Sequence, residues 1–249
     1  MRILPSGEPC LSFESLDSTN TEARRRAQVG ERGPLWLTAR RQTAGRGRRG
    51  RHWVSESGNL FATHLGPVAR PLSERAQLSL VAGLAVAEAL ASITERRAGK
   101  KAAQALRCKW PNDVLFGSAK LAGILLDSEA DWVATGIGVN LASAPGEVDR
   151  PAVSLLTAIG VRVSPDEALD AIAERHALRR GEWQSRGFAE LREAWLAMGP
   201  ERGSGLRVRA GGGGAVVEGH FGGLDSDGAL LILEADGTHR RIGAGEIVA

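Results

Sequence analysis

Cysteine is scarce in this chain: Cys10 and Cys108 are the only two. Two thiols cannot build a disulfide framework, and their spacing makes no metal motif. Both are expected as reduced thiols in a cytosolic protein. The first ten residues hold no apolar core of the kind a secretion signal needs. The longest apolar run, residues 78 to 91, is interrupted by Glu88 and is too short to cross a bilayer, so it reads as a buried helix. No internal repeat is visible. One stretch also has no acid at all: neither Asp nor Glu occurs between residues 33 and 55.

That stretch carries six arginines, Arg40, Arg41, Arg46, Arg48, Arg49 and Arg51, so nothing local neutralises them. Gly45, Gly47 and Gly50 lie among them and let the backbone bend tightly and approach a ligand. Guanidinium forks bind phosphates and carboxylates through paired hydrogen bonds. Trp53 ends the run with a flat face that can stack on a base. The pattern describes a loop that wraps a small anion bearing an aromatic ring, such as a nucleotide. Other readings compete with it. The three glycines have the G-x-G-x-x-G spacing of a dinucleotide site, but that motif must open a helix, and residues 54 to 59 read as a turn. A phosphate-binding P-loop needs Gly-Lys-Ser/Thr, where this chain has Gly50-Arg51-His52. A solvated basic loop, or a module touching nucleic-acid backbone, remains open. The net charge over all 249 residues is only +3, so the positive charge is concentrated in the loop. That favours a specific anion site over a general polyanion binder.

The length and an apolar content of 43% suit one sizeable domain plus a small one. Residues 11 to 16 alternate as a strand does, and Ser18-Thr19-Asn20 follows. Thr19 and Glu22 have capping-box spacing, which predicts a helix over 21–29. Those short polar side chains could equally hydrogen-bond a ligand at the strand end. Strands are predicted at 35–39 and 59–64, so the arginine loop joins two strands. A helix capped by Ser73 is predicted over 73–92, and a surface loop over 94–104. Lys109, Asn112 and Asp113 bracket a Pro-Asn-Asp turn and put a cation, an amide and a carboxylate together. Lys120 opens an apolar strand containing Gly123, and the strand at 132–140 contains Gly136 and Gly138 and ends on Asn140. Glycine inside a strand marks close approach by a ligand or another backbone. Residues 142 to 151 read as a loop. Ser164-Pro165 starts one helix, and a second covers 188–198. His64 and His176 read as structural. Residues 199 to 205 form a linker, followed by four short strands in a small β-barrel-like unit with turns at Asp227-Gly228 and Asp236-Gly237. The glycine run at 211–214 reads as a turn.

Five clusters, Ser18-Thr19-Asn20, Gln42-x-Ala44-Gly45-Arg46-Gly47-Arg48-Arg49-Gly50-Arg51-x-Trp53, Lys109-Trp110-Pro111-Asn112-Asp113, Lys120-Leu121-Ala122-Gly123-Ile124-Leu125 and Gly136-x-Gly138-x-Asn140, closely resemble the biotin protein ligases in order and spacing. The resemblance runs from about Phe13 onward. It implies an α+β catalytic domain with a mixed sheet, like class II synthetases, over 1–199 and an SH3-like module over 200–249. It implies that biotin and ATP, with Mg²⁺, form biotinoyl-5′-AMP, and that a lysine of a biotin carboxyl carrier protein takes the biotin. Ser18, Thr19, Asn20, Gln42, Arg46, Gly47, Arg48, Lys120, Gly123, Gly136 and Gly138 are then expected at biotin. Arg48, Arg51, Trp53, Asn112, Asp113, Lys120 and Asn140 are expected at the nucleotide. Arg48, Lys120 and Asp113 are the expected catalytic groups; no metal ligand is assigned. Too few residues precede Ser18 for the DNA-binding domain of some relatives, so DNA is not expected as a partner; a membrane is not expected either, and a homodimer is allowed. A lipoate or octanoyl ligase of the same fold is the alternative, together with the nucleic-acid module.

Overall fold

The computed structural model describes residues 1–129, 131–146, 151–211 and 214–248. The loop expected at 142–151 and the glycine run at 211–214 therefore lie partly outside the described residues. In chain order the elements are β1 (Arg2–Ile3), β2 (Pro9–Leu16), α1 (Thr19–Gln28), β3 (Leu35–Gln42), β4 (Leu60–Pro67), α2 (Gln77–Ala98), α3 (Lys100–Ala103), β5 (Leu106–Lys109), β6 (Asp113–Phe116), β7 (Ala119–Glu129) and β8 (Trp132–Val139). Then come α4 (Leu155–Ile159), α5 (Pro165–Arg186), α6 (Phe188–Met198), β9 (Gly205–Ala210), β10 (Val216–Leu224), β11 (Leu230–Leu233), β12 (His239–Ile242) and β13 (Gly245–Val248).

The first eight strands make one mixed sheet in the order β1-β2-β3-β4-β8-β7-β6-β5. Among the described strands only β2 and β3 pair in parallel, and α1 is the crossover that a parallel pair requires. Strand periodicity divides the sheet into two faces. Trp36, Ala62, Val133, Ile137 and Val139 enter the main core, which α2, α5 and α6 cover. Leu37, Leu65 and Ala134 turn the other way and pack on Ala23 and Ala27 of α1. Strand β4, with helices on both sides, is buried over nearly its whole length, as its apolar run requires. By length and composition α2 could cross a membrane, yet most of it is buried within the fold.

The second sheet is five-stranded and antiparallel, ordered β12-β11-β10-β9-β13. Its core is continuous with the first: Val208, Phe221, Leu230 and Ile232 belong to the same apolar cluster as Leu80 and Trp110. The turn at Gly228 is the contact point. Gly228 has φ +83, a Cβ there would lie 2.6 Å from Leu80 Cδ1, and its carbonyl accepts a hydrogen bond from Trp110 Nε1 at 3.1 Å. Only glycine satisfies both the dihedral and the space.

Several boundaries differ from the sequence reading. The first helix begins at Thr19 with Ser18 as N-cap, and the capping box does not form because Thr19 turns to Gln42. The long helix begins at Gln77 after a 3-10 turn at Leu72–Glu74, so Ser73 does not cap it. It runs to Ala98 and is followed by α3, replacing the surface loop expected at 94–104. Glu, Arg, Lys and Ala are good helix formers, so this polar, alanine-rich stretch continues as helix. The terminal sheet has five strands rather than four, because β13 was overlooked. Ser164 caps α5 as expected, its Oγ accepting from Glu167 N at 3.1 Å.

Candidate active site

The ends of β2, β3, β7 and β8 on the α1 face surround a cavity of about 410 Å³. Pockets of this size hold small ligands and cofactors. Every residue expected at biotin or nucleotide lines it, from Ser18, Thr19 and Asn20 at the start of α1 to Asn140 after β8. Phe61, Ile124, Leu125 and Ile137 give it apolar wall, and Glu246 of β13 reaches it from the second sheet.

Its floor is a chain of hydrogen bonds. Gln42 Oε1 accepts from Thr19 N at 2.9 Å and from Thr19 Oγ1 at 3.2 Å. Gln42 Nε2 donates to Ser55 Oγ at 3.0 Å. The buried hydroxyl of Thr63 on β4 lies 2.8 Å from Thr19 Oγ1 and 2.7 Å from Asn20 Oδ1. The strand glycines make room above this layer. A Cβ at Gly136 would lie 1.9 Å from Asn20 Oδ1. At Gly138 it would lie 2.6 Å from the Trp53 indole, and at Gly123 it would lie 3.0 Å from the same ring. The ring resting on Gly123 and Gly138 is thus the protein's own Trp53, whose buried Nε1 has no hydrogen-bond partner.

The arginine loop folds over the opening as a small hairpin. Gly47 N donates to Arg51 O at 2.7 Å and Trp53 N to Gly45 O at 2.9 Å. A 3-10 turn at Arg48–Gly50 makes the tip, with Arg49 at φ 57, a conformation costly for a residue with a side chain. The side chains hold it there. Arg49 reaches Gly211 O at 2.6 Å and Glu246 at 3.2 Å, and Arg51 reaches Glu246 at 2.8 Å. Arg48 turns inward, donating to Asn112 Oδ1 at 2.9 Å. Burial pushes its guanidinium below the ordinary value, Arg49 beside it adds to the shift, and Asp113 opposes it. A guanidinium stays charged all the same. Across the cavity Lys120 Nζ lies 2.6 Å from Asp113 Oδ1, an ion pair outside ideal hydrogen-bond angles, and 5.4 Å from the centre of the Trp53 ring. Asn112 is fixed by its own bond to Ile124 O at 2.8 Å.

The cavity therefore has a polar floor suited to a neutral ring with N–H and C=O groups, and a rim of Arg46, Arg48, Arg51 and Lys120 suited to anions. The contributions of Glu246, Thr63 and Asp127, the last through its contacts to Asn20 and Arg46, were missed, because their partners lie far away in the sequence. Among the described residues no group of His, Cys, Asp or Glu is placed to hold a metal ion. His64 and His176 stand apart, buried under the sheet with Trp36, Glu8 and Arg180.

Residues 12–142 match the Biotin/lipoate A/B protein ligase family, and residues 203–248 match the Biotin protein ligase C terminal domain. A biotin--[acetyl-CoA-carboxylase] ligase of Paracoccus denitrificans is 43% identical over 87% of this chain and 90% of its own length. One of Mycobacterium tuberculosis is 37% identical over 93% of this chain and 85% of its own. The solved biotin protein ligase of Aquifex aeolicus in complex with biotin and ATP superposes with a TM-score of 0.79 at 29% identity, covering 96% of this chain and 97% of that one. On the strength of these matches and of the motifs gathered round the cavity, the chain belongs to the biotin protein ligases of the biotin/lipoate A/B protein ligase family.

Proposed function

We propose that this protein activates biotin with ATP and transfers it to a lysine of a biotin carboxyl carrier protein in the cytosol. The observation that carries this reading is the cavity itself, a polar floor under a rim of cations, lined by all five motifs. A carboxylate oxygen of biotin attacks the α-phosphorus of ATP, an acyl–phosphate bond forms, and pyrophosphate leaves. The amine of the carrier lysine then attacks the acyl carbon, and AMP leaves with the bonding electrons.

Both substrates of the first step are anions, and their repulsion grows as water is excluded. Lys120 bridges the carboxylate and the α-phosphate in this reading, and Arg48 holds the non-bridging oxygens where charge develops. Arg51, Trp53, Asn112, Asp113 and Asn140 serve the nucleotide. Ser18, Thr19, Asn20, Gln42, Arg46 and Gly47 serve biotin, with depth left by Gly123, Gly136 and Gly138. The Trp53 indole must yield to any ring that lies on Gly123 or Gly138. Asp113 releases Lys120 when the lysine turns to phosphate, which leaves its carboxylate able to take a proton from the incoming amine. Among the described residues Asp113 is the carboxylate paired with Lys120, and Asn112 and Asn140 add only neutral oxygens. That donor set fits Mg²⁺ carried in on the triphosphate with mostly water ligands, and not a resident ion.

The test is incubation with radiolabelled biotin, ATP, Mg²⁺ and a carrier domain, with lipoate and octanoate in parallel. Label on the carrier lysine from biotin alone is expected. Label from lipoate or octanoate without biotin transfer would move the protein to the other branch of the fold.

A further inference from the structure

One oxygen of Asp127 is shared by two residues that belong to different parts of the site. Asp127 Oδ2 accepts from Asn20 Nδ2 at 3.2 Å and from Arg46 Nη1 at 3.3 Å. Asp127 follows Leu125 by two residues on β7, which places it on the same face of the sheet. It does not line the main cavity.

The two ends of a carboxamide have nearly the same shape, so its neighbours decide which end points where. Asn20 Oδ1 faces the Thr63 hydroxyl, which can donate or accept. Asn20 Nδ2 faces Leu125 O at 3.2 Å and Asp127 Oδ2, both acceptors only. The amide is thereby set with its oxygen against Gly136, and both of its N–H groups are used inside the protein. A lone pair on Oδ1 is what remains to meet a ligand. Arg46 in turn pairs with His52 across the neck of the hairpin, so whatever holds Arg46 holds the neck.

We propose that Asp127 is a positioning residue: it ties the first arginine of the loop to the amide on the cavity floor, so that the loop closes in register with the ring-binding layer. The proposal rests on the ligase reading above. The side chain of Asp127 is 22% exposed and that of Arg46 41%, so the tie is modest and can be released.

Asp127→Ala removes both contacts, and Asp127→Asn keeps an acceptor for Asn20 while dropping the charge on Arg46. In Asp127→Ala the KM for biotin should rise about three- to fivefold, with the KM for ATP and kcat changing less than about twofold, as loss of a partly exposed ion pair acting on one substrate predicts. Asp127→Asn should fall between. Trypsin should cut Asp127→Ala after the arginines of the loop about fivefold faster, at an unchanged melting temperature, because the neck is loosened. A biotin KM within about twofold of the parent overturns the proposal, as does an equal rise in both KM values. Unchanged cleavage of the loop also overturns it. That arm needs no activity, so a parent that never makes biotinoyl-AMP would sink the ligase reading while the tie is still judged by trypsin.

Discussion

Glu246 of β13 holds two arginines of the loop at once, with Oε1 2.8 Å from Arg51 Nη1 and Oε2 3.2 Å from Arg49 Nη1. A carboxylate from the second sheet thus sets the position of a loop that starts in the first. Each pair is partly exposed and is worth about 0.2–1 kcal/mol. Glu246→Ala should therefore leave the melting temperature almost unchanged. With Arg51 on the nucleotide side, the KM for ATP should rise about two- to thirtyfold, and the KM for biotin much less. The defect should shrink as salt is raised, because screening weakens the parent and not the variant. Steady-state kinetics at low and high salt checks both points, and an ATP KM equal to the parent's would refute the clasp.

Lys120→Ala removes the cation paired with Asp113 at the cavity rim. Formation of biotinoyl-AMP should slow on the order of a hundredfold or more, as losing a transition-state donor does. Single-turnover measurement of the adenylate gives the rate directly. A near-parental rate assigns the bridge to another cation.

Arg48 is the loop arginine that turns inward to Asn112, so it is placed to retain a reactive acyl phosphate. Arg48→Gly loses contacts worth roughly 1.5–3 kcal/mol, or about ten- to a hundredfold in retention. Adenylation should partly survive through Arg46, Arg51 and Lys120. The escaping adenylate should then label serum albumin on its exposed lysines, visible on a biotin blot. If biotinoyl-AMP is made and albumin stays clean, Arg48 is not the gatekeeper.

The buried pair His64 and His176 predicts acid sensitivity. Burial lowers both, with the Glu8 hydrogen bond opposing the shift at His64. At His176 the neighbouring His64 and Arg180 add to the effect of burial. The unfolded chain takes up protons below about pH 6.5 and the folded chain does not, so stability falls as pH drops below that value. Each histidine contributes up to about 1.4 kcal/mol per pH unit there. At Glu8 burial pushes the carboxyl up, but the His64 and Trp36 hydrogen bonds outweigh it and leave it lowered. Its stabilisation is present above its ordinary value of 4.5 and fades below it. Neither ring nitrogen of His176 has a partner. His176→Leu should hold or raise the melting temperature at neutral pH and flatten its decline toward pH 5.5. A slope identical to the parent's would place the acid-sensitive group elsewhere.

The parts of the site that could be read from residue order were those with odd composition: arginines among glycines, a lysine opening an apolar strand, glycines inside strands. Their meeting at one cavity followed from strand ends converging, which local pattern does not encode. Thr63 and Asp127 escaped notice because a single threonine or aspartate in a strand has no signature; their importance arises from what the sheet puts beside them. Gly136 and Gly138 were recognisable as points of close approach, but not what approaches, since Asn20 and Trp53 come from more than eighty residues away. The helix end at Ala98 was hidden by charge, and β13 by its brevity.

The contact between Arg51 and Glu246 spans 195 residues of sequence. During synthesis at about 5–20 residues per second, the loop waits roughly 10–40 s for the strand that neutralises it. Throughout that interval Arg49 and Arg51 lack the carboxylate that pairs them in the folded chain, beside ribosomal RNA, a polyanion that attracts such cations. Emergence of β13 brings Glu246 and, with it, a competitor within the same chain. Translation order thereby makes the last strand of the second sheet the element that withdraws the loop from its surroundings.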